Sequence, residues 1–241
     1  ILGIGSSFIS GADSALMYDS LSESKKEDEY TKVEGVAYGI GNFSEAVAGI
    51  CGGLLAEISL RLPWQVQVVV AALIIPITFL LVEPNVHKES RLPKNFNAIW
   101  QVVKFSLVEN KVLKWLIILS SAVGFATLSL AWFAQPYFKN IDMPLKYFGF
   151  AWAFLNLTTG FSSINAYRLQ NIFSKNSFLI FISLGISIPI FLLSKSSAIL
   201  GLIMIGIVYL FRGLATPVMR TYINDITPSN MRATVLSLRS F

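Results

Sequence analysis

Three charged residues stand inside long apolar runs of this 241-residue chain: Asp13, Glu45 and Arg212. A charge at the centre of a bilayer costs at least about 2.5–3.5 kcal/mol on insertion scales, so each needs a chemical reason to be there. A carboxyl in a low-dielectric cavity is biased toward its protonated form, which makes proton uptake and release possible near neutral pH. Asp13 and Glu45, singly or as a pair, are therefore candidate proton carriers. The plainer alternative is a static hydrogen-bond role tying helices together. Arg212 is placed to bind an anionic substrate or to pair with a carboxylate, unless its guanidinium only snorkels to the polar boundary. Catalytic chemistry is not in view. His87 is the sole histidine and Cys51 the sole cysteine, so Ser-His-Asp, His-metal and Cys-cluster sites lack material. No GxxxxGK[ST] loop occurs, so ATP is not the direct energy source. No enzyme activity, cofactor or metal is expected.

What positions these residues is a series of apolar stretches, each near the roughly 20 residues that cross a bilayer. They fall at 1–21, 36–58, 62–82, 113–138, 147–168, 177–194 and 198–222, with an eighth starting near Met231. Hydrophobic residues make up 54% of the chain and charged residues 14%, against roughly a quarter charged in a soluble domain. A water-soluble fold of this size cannot hide that much apolar surface. The expectation is an all-α polytopic transmembrane bundle.

The links set its orientation. Lys25, Lys26, Lys32, Lys88, Arg91, Lys94, Lys104, Lys111, Lys114, Arg168, Lys175, Arg220 and Arg232 fall in alternate links, and the others hold only Arg61, Lys139, Lys146 and Lys195. That bias puts the first set in the cytoplasm of a multi-pass plasma or inner membrane protein. It also explains the net charge of +5 without nucleic acid. Asp13 then lies about two turns from the cytoplasmic end of its helix, and Glu45 about 15 Å of rise into the next. Residues 97–110 carry Ile99, Val102, Val103, Phe105 and Leu107 on a broad apolar side, which predicts a helix on the inner membrane surface. One continuous helix over 97–138 is the alternative. Trp64, Trp115, Trp132 and Tyr147 sit near crossing ends, where amphipathic rings collect. The chain starts inside one apolar stretch and stops inside another, as a piece cut from a longer protein would.

A shift that places Gly11 on Gly213 also places Met17 on Met219 and Val33 on Val235. The order of features fits two similar bundles, 1–82 and 113–241, joined by a linker at 83–112. Residues 10–21 read SGADSALMYDSL, and an acidic-basic loop and a Gly-rich crossing follow. This string resembles the fourth helix of bacterial major facilitator superfamily transporters, in their drug-efflux-like branch. Phe211-Arg212-Gly213, Pro217 and the run from Asn224 to Thr234 resemble the tenth helix and its link to the eleventh. The resemblance covers essentially the whole chain, as helices four to ten and the start of eleven. Two departures stand out. The link from Ala166 to Lys175 keeps basic residues but lacks the family's Gly-Asp-Arg core, and the Gly-rich crossing lacks the antiporter motif's proline.

The resemblance implies a parent of twelve crossings in two halves, working by alternating access as a monomer. It makes the helices of Asp13 and Glu45 neighbours and sets Arg212 on a cavity-lining helix. It implies that Asp19 joins a charge network with an arginine of the two-three loop to close the inner gate, a solvated acid being the alternative. Arg220 and Arg232 either act similarly in the second half or serve, as the link charges favour, as topology determinants. Gly213 and Pro217, within one turn of each other, are the best candidates for a gating bend. Gly49, Gly52 and Gly53 give the fifth helix a thin side for a close neighbour. Among polar and aromatic residues in the crossings, Trp132, Gln135 and Asn156 are favoured as substrate contacts. The function implied is proton-coupled efflux of small apolar or amphipathic compounds across the lipid bilayer. A nutrient importer of the same fold is the alternative, and a membrane scaffold or membrane-embedded enzyme a more distant one.

Overall fold

The computed structural model describes residues 11–80, 96–144, 147–195 and 198–239. Among these residues nine α-helices follow in order: α1 (Ala12–Glu23), α2 (Tyr30–Ile58), α3 (Leu62–Thr78), α4 (Phe96–Lys104), α5 (Lys111–Asn140), α6 (Phe148–Ile172), α7 (Lys175–Leu193), α8 (Ala198–Asp225) and α9 (Arg232–Arg239). No strand occurs among the described residues. In hydrocarbon every backbone N–H and C=O must be satisfied within its own segment, and helices do this whatever the local propensity. That is why Gly- and β-branched-rich runs, poor helix formers in water, are helical here.

Among the described residues four helices are long and apolar enough to cross a membrane: Glu27–Ile58, Lys111–Asn140, Lys175–Leu193 and Ile199–Asp225. α3 is a shorter apolar helix of 17 residues that ends at Thr78, with Phe79 and Leu80 in a turn, short of the expected run to residue 82; residues 81 and 82 lie outside the described residues. The same holds for the first ten residues of the crossing at 1–21, and for His87, Lys88, Arg91 and Lys94 of the linker. α6 has length enough, at 25 residues, but carries Asn156, Thr159, Ser162 and Ser163 among its apolar side chains.

Local chemistry sets the breaks. Asn110 is extended (φ −101°, ψ 97°), and its side chain caps α5 by accepting from the Leu113 N–H at 3.0 Å. The chain therefore does not run as one helix through 97–138. α4 passes into a π turn at Phe105–Glu109 and stops at Asn110. Ser174 caps α7 in the same manner, accepting from Ser177 N–H at 3.3 Å.

Two apolar clusters form the interior. The larger draws on α5 to α8, with Phe138, Phe178, Ile182, Ile205, Val208 and Met219 essentially inaccessible. The smaller joins Ala15 of α1, Val102 of α4, Leu113 and Ile117 of α5, Ile223 of α8 and Val235 and Leu236 of α9. Outside them, Val68, Ile74, Phe125, Phe154, Ile180 and Phe191 are more than half exposed. An apolar exterior around a mixed interior suits lipid as the surrounding solvent.

The closest pairing is antiparallel, between α2 and α6. A methyl group added at Gly35 would overlap the Ser163 carbonyl, and one at Gly39 would press on Ile164 and the Gly160 carbonyl. Further along, a methyl group added at Gly49 would lie 3.1 Å from Trp152 Cδ1, and one added at Gly149 would lie 2.9 Å from the Gly49 carbonyl oxygen. Small residues on both helices let the backbones touch over most of their length.

Candidate functional site

At the end that the link charges assign to the cytoplasm, α1 and α2 are joined to α6, α8 and α9 by buried polar contacts. Pro228 (φ −55°, ψ 142°) ends α8 and sets up the short turn Ser229–Met231, so that Arg232 opens α9. Arg232 is 5% exposed and forms an ion pair with Asp19 of α1, itself 6% exposed. Its guanidinium also donates to Ser229 Oγ at 2.9 Å and to the Thr227 carbonyl at 3.2 Å, and lies 4.0 Å from the centre of the Tyr18 ring.

A second pair lies on α2. Glu34, 2% exposed, pairs with Arg220 of α8 and accepts a hydrogen bond from the Tyr30 hydroxyl at 2.9 Å. The hydroxyls of Thr31 and Thr221 meet at 2.7 Å, and Ser163 Oγ donates to the Gly35 carbonyl at 2.9 Å. Two charge pairs, one hydroxyl pair and one backbone contact thus bind the two groups of helices at one end. Charges this deep are stable only while paired, because removing one partner strands the other at a cost of about 3–5 kcal/mol.

Between α2, α5 and α8 lies a polar cavity of about 190 Å³, with Tyr38, Thr127, Arg212, Thr216 and Arg220 in its wall. Arg212 stacks over the Tyr209 ring at 5.5 Å and interacts electrostatically with Tyr38 and Glu45. A second space of about 310 Å³ opens beside Gly49, Gln135, Phe148 and Trp152. A third, about 720 Å³, sits among Tyr18, Glu27, Glu29, Lys32, Tyr167 and Asp225 at the assigned cytoplasmic mouth.

Of the expected proton carriers, Asp13 is exposed on α1 within electrostatic reach of Arg220. Glu45 is exposed on α2 within reach of Arg212. The two carboxyls thus lie near, without forming ion pairs with, arginines separated by about 12 Å of rise on α8. Asp19 and Arg220 both sit in the ion pairs described above. Gly213 is where α8 approaches α6 most closely, since an added methyl would overlap Ser162 Oγ and the Thr159 carbonyl. The Pro217 carbonyl accepts from Thr221 Oγ1 at 2.9 Å, next to the Thr31 contact.

Gln135 lines the second space, and Trp132 is 74% exposed on the same helix. Asn156 is 1% exposed, and its amide donates to the Trp152 carbonyl of its own helix at 3.1 Å. Gly49 and Gly53 face α6, whereas Gly52 faces open space.

Glu34, Tyr30, Thr31 and Thr221 were not singled out by the sequence reading. Glu34 fell in a segment counted as a link, because the apolar run seemed to start at residue 36; α2 starts at Tyr30. The signal available was the four-residue spacing of Tyr30 and Glu34, which stacks them on one helix face. Also buried without a hydrogen-bond partner are the Tyr209 and Tyr222 hydroxyls, both amide atoms of Asn224, and Arg232 Nε. Among the described residues no group of His, Cys, Asp or Glu is arranged to hold a metal ion.

A bundle of apolar helices with charge pairs joining two helix groups at one end, and cavities between the helices, is the architecture of a multi-pass membrane protein. The family model of the Major Facilitator Superfamily matches residues 1–241, and the chain belongs to that family. It is a multi-pass membrane protein and a secondary transporter. Comparison with curated proteins and with solved structures returns no match.

Proposed function

We propose that the protein is a proton-coupled exporter of small amphipathic compounds, working by alternating access between bundles at 1–82 and 113–241. The observation that carries this reading is the set of buried contacts confined to one end: Asp19–Arg232, Glu34–Arg220 and Thr31–Thr221. Such a set is a gate that holds the cytoplasmic side shut while the opposite side serves the exterior. Opening it requires parting two buried charge pairs, which ties the rate of the cycle to events that change those charges.

Asp13 and Glu45 are the proposed proton carriers, because each is a carboxyl within reach of an arginine on α8. Proton arrival at either changes the charge seen by that arginine. Arg212, Trp132, Gln135 and Asn156 are the proposed substrate contacts. Arg220, Gly213 and Pro217 are the proposed moving parts on α8, with Gly49 and Gly53 giving α2 a thin face that slides against α6. The direction of transport is supported by the Gly-rich α2.

The test is proton flux in proteoliposomes under an imposed gradient with an amphipathic substrate. Glu45→Gln is expected to reduce substrate-coupled proton movement at least tenfold. Undiminished coupled flux in that variant removes Glu45 from the mechanism. Flux that follows a nutrient gradient inward, with no response to amphipaths, overturns the exporter reading.

A further inference from the structure

The cavity between α2, α5 and α8 has a charge balance that selects its occupant. Two guanidiniums, of Arg212 and Arg220, face a space of about 190 Å³ with no carboxylate in its wall. Arg220 is compensated, since Glu34 pairs with it from α2. Arg212 is not. Among the described residues it makes no ion pair. Its neighbours are the Tyr209 ring at 5.5 Å, Tyr38, and Glu45 beyond ion-pair range. A cation over an aromatic face recovers about 0.5–2 kcal/mol. Holding a charge in the membrane interior costs at least about 2.5–3.5 kcal/mol. The ring offsets only part of that cost.

The hydrogen-bond inventory points the same way. Thr127 Oγ1 donates to the Val123 carbonyl at 2.9 Å, and Thr216 Oγ1 to the Arg212 carbonyl at 3.0 Å. Their protons are committed to their own helices, which leaves those N–H donors of the Arg212 guanidinium not turned to Tyr38 and Tyr209 as a main source of donation into the cavity. A guanidinium presents these donors in a planar fork that matches a carboxylate bidentately. The remaining wall, Val123, Leu128, Ala215 and Met219, is apolar.

We infer that this cavity binds an amphipathic organic anion, with its carboxylate on the Arg212 guanidinium and its apolar body against Leu128 and Met219. The inference rests on the reading that the space between the helix groups is the substrate site, and it narrows the substrate from amphipathic compounds to carboxylate-bearing ones. An anion here supplies the charge partner that Arg212 otherwise lacks, so affinity comes from the pairing and the apolar wall admits bodies of varied shape.

The test uses three probes that share one apolar body and differ in charge: 2-naphthoate, 2-naphthamide and 2-naphthylmethylammonium. Binding to the purified protein, with no gradient present, is read by thermal stabilisation and by tryptophan fluorescence at low and high salt. 2-Naphthoate is expected to bind at least tenfold tighter than the amide, with the cation weakest and the preference reduced by salt. Arg212→Gln is expected to bring naphthoate and amide within twofold of each other, and Arg212→Lys to keep an intermediate preference. Equal binding of all three probes, tighter binding of the cation, or an unchanged preference in Arg212→Gln overturns the inference. Should Arg212→Gln fail to fold, the charge order and salt response of the unmodified protein decide alone. Naphthoate binding without any transport in proteoliposomes would sink the transport reading and leave this site standing. Transport restricted to cationic or neutral amphipaths would do the reverse.

Discussion

Asp19 and Arg232 are each nearly inaccessible, and they come from opposite ends of the chain. A pair like this adds little net stability over two apolar side chains, but it punishes the loss of one member severely. Arg232→Gln is therefore expected to destabilise the protein by about 3–5 kcal/mol in detergent unfolding, because it removes the guanidinium that pairs with the buried Asp19 carboxylate. Adding Asp19→Asn is expected to recover much of that loss, giving a clear non-additive cycle. Arg232→Lys should behave more like Gln than its charge suggests. A single ammonium cannot pair with Asp19, bond Ser229 and the Thr227 carbonyl, and lie flat on the Tyr18 ring at once. Additive losses in the double variant would mean that the two residues contribute separately.

For the helices, the decisive contact is α2 against α6. Gly35→Ala puts a methyl group into the Ser163 carbonyl, a backbone atom that has no room to move aside. The expected cost is about 1–3 kcal/mol in thermal unfolding. Gly52→Ala meets nothing and gains helix propensity, so it should be neutral or stabilising by up to about 1 kcal/mol. Equal effects of the two substitutions would deny that this seam is tightly packed. The helical class and the apolar stretches were legible in the sequence, and so was a thin face on α2, though Gly52 falls off it and Gly35 and Gly39 belong to it. The partner of that face was not legible, because small residues say only that a helix can be approached. Arg232 read in the sequence chiefly as a link cation that sets topology, because its pairing with Asp19 depends on a turn near Pro228 that spacing alone does not fix. Glu34 was missed because charge composition drew the helix boundary at residue 36, while the backbone hydrogen bonds start α2 at Tyr30.

Across the bundle, the contacts that close one end must part during every cycle if alternating access is correct, and Thr31 and Thr221 offer a direct way to ask. Their hydroxyls meet at 2.7 Å across the α2–α8 boundary, in a protein whose only cysteine is the exposed Cys51. In a Cys51→Ser background, Thr31→Cys with Thr221→Cys places two thiols where the hydroxyls were. Oxidation is expected to cross-link them readily, since closure needs only small adjustments of two side chains already in contact. The linked protein should lose transport by at least tenfold and regain it on reduction, while either single variant keeps its activity through the same treatment. The sidedness of that end is read separately: Lys25→Cys should react with an impermeant thiol reagent only from the cytoplasm, and Lys139→Cys only from outside. Transport that continues at full rate with the Thr31–Thr221 positions quantitatively linked would mean that this end never opens. The substrate would then have to leave by a route that leaves α2 and α8 joined.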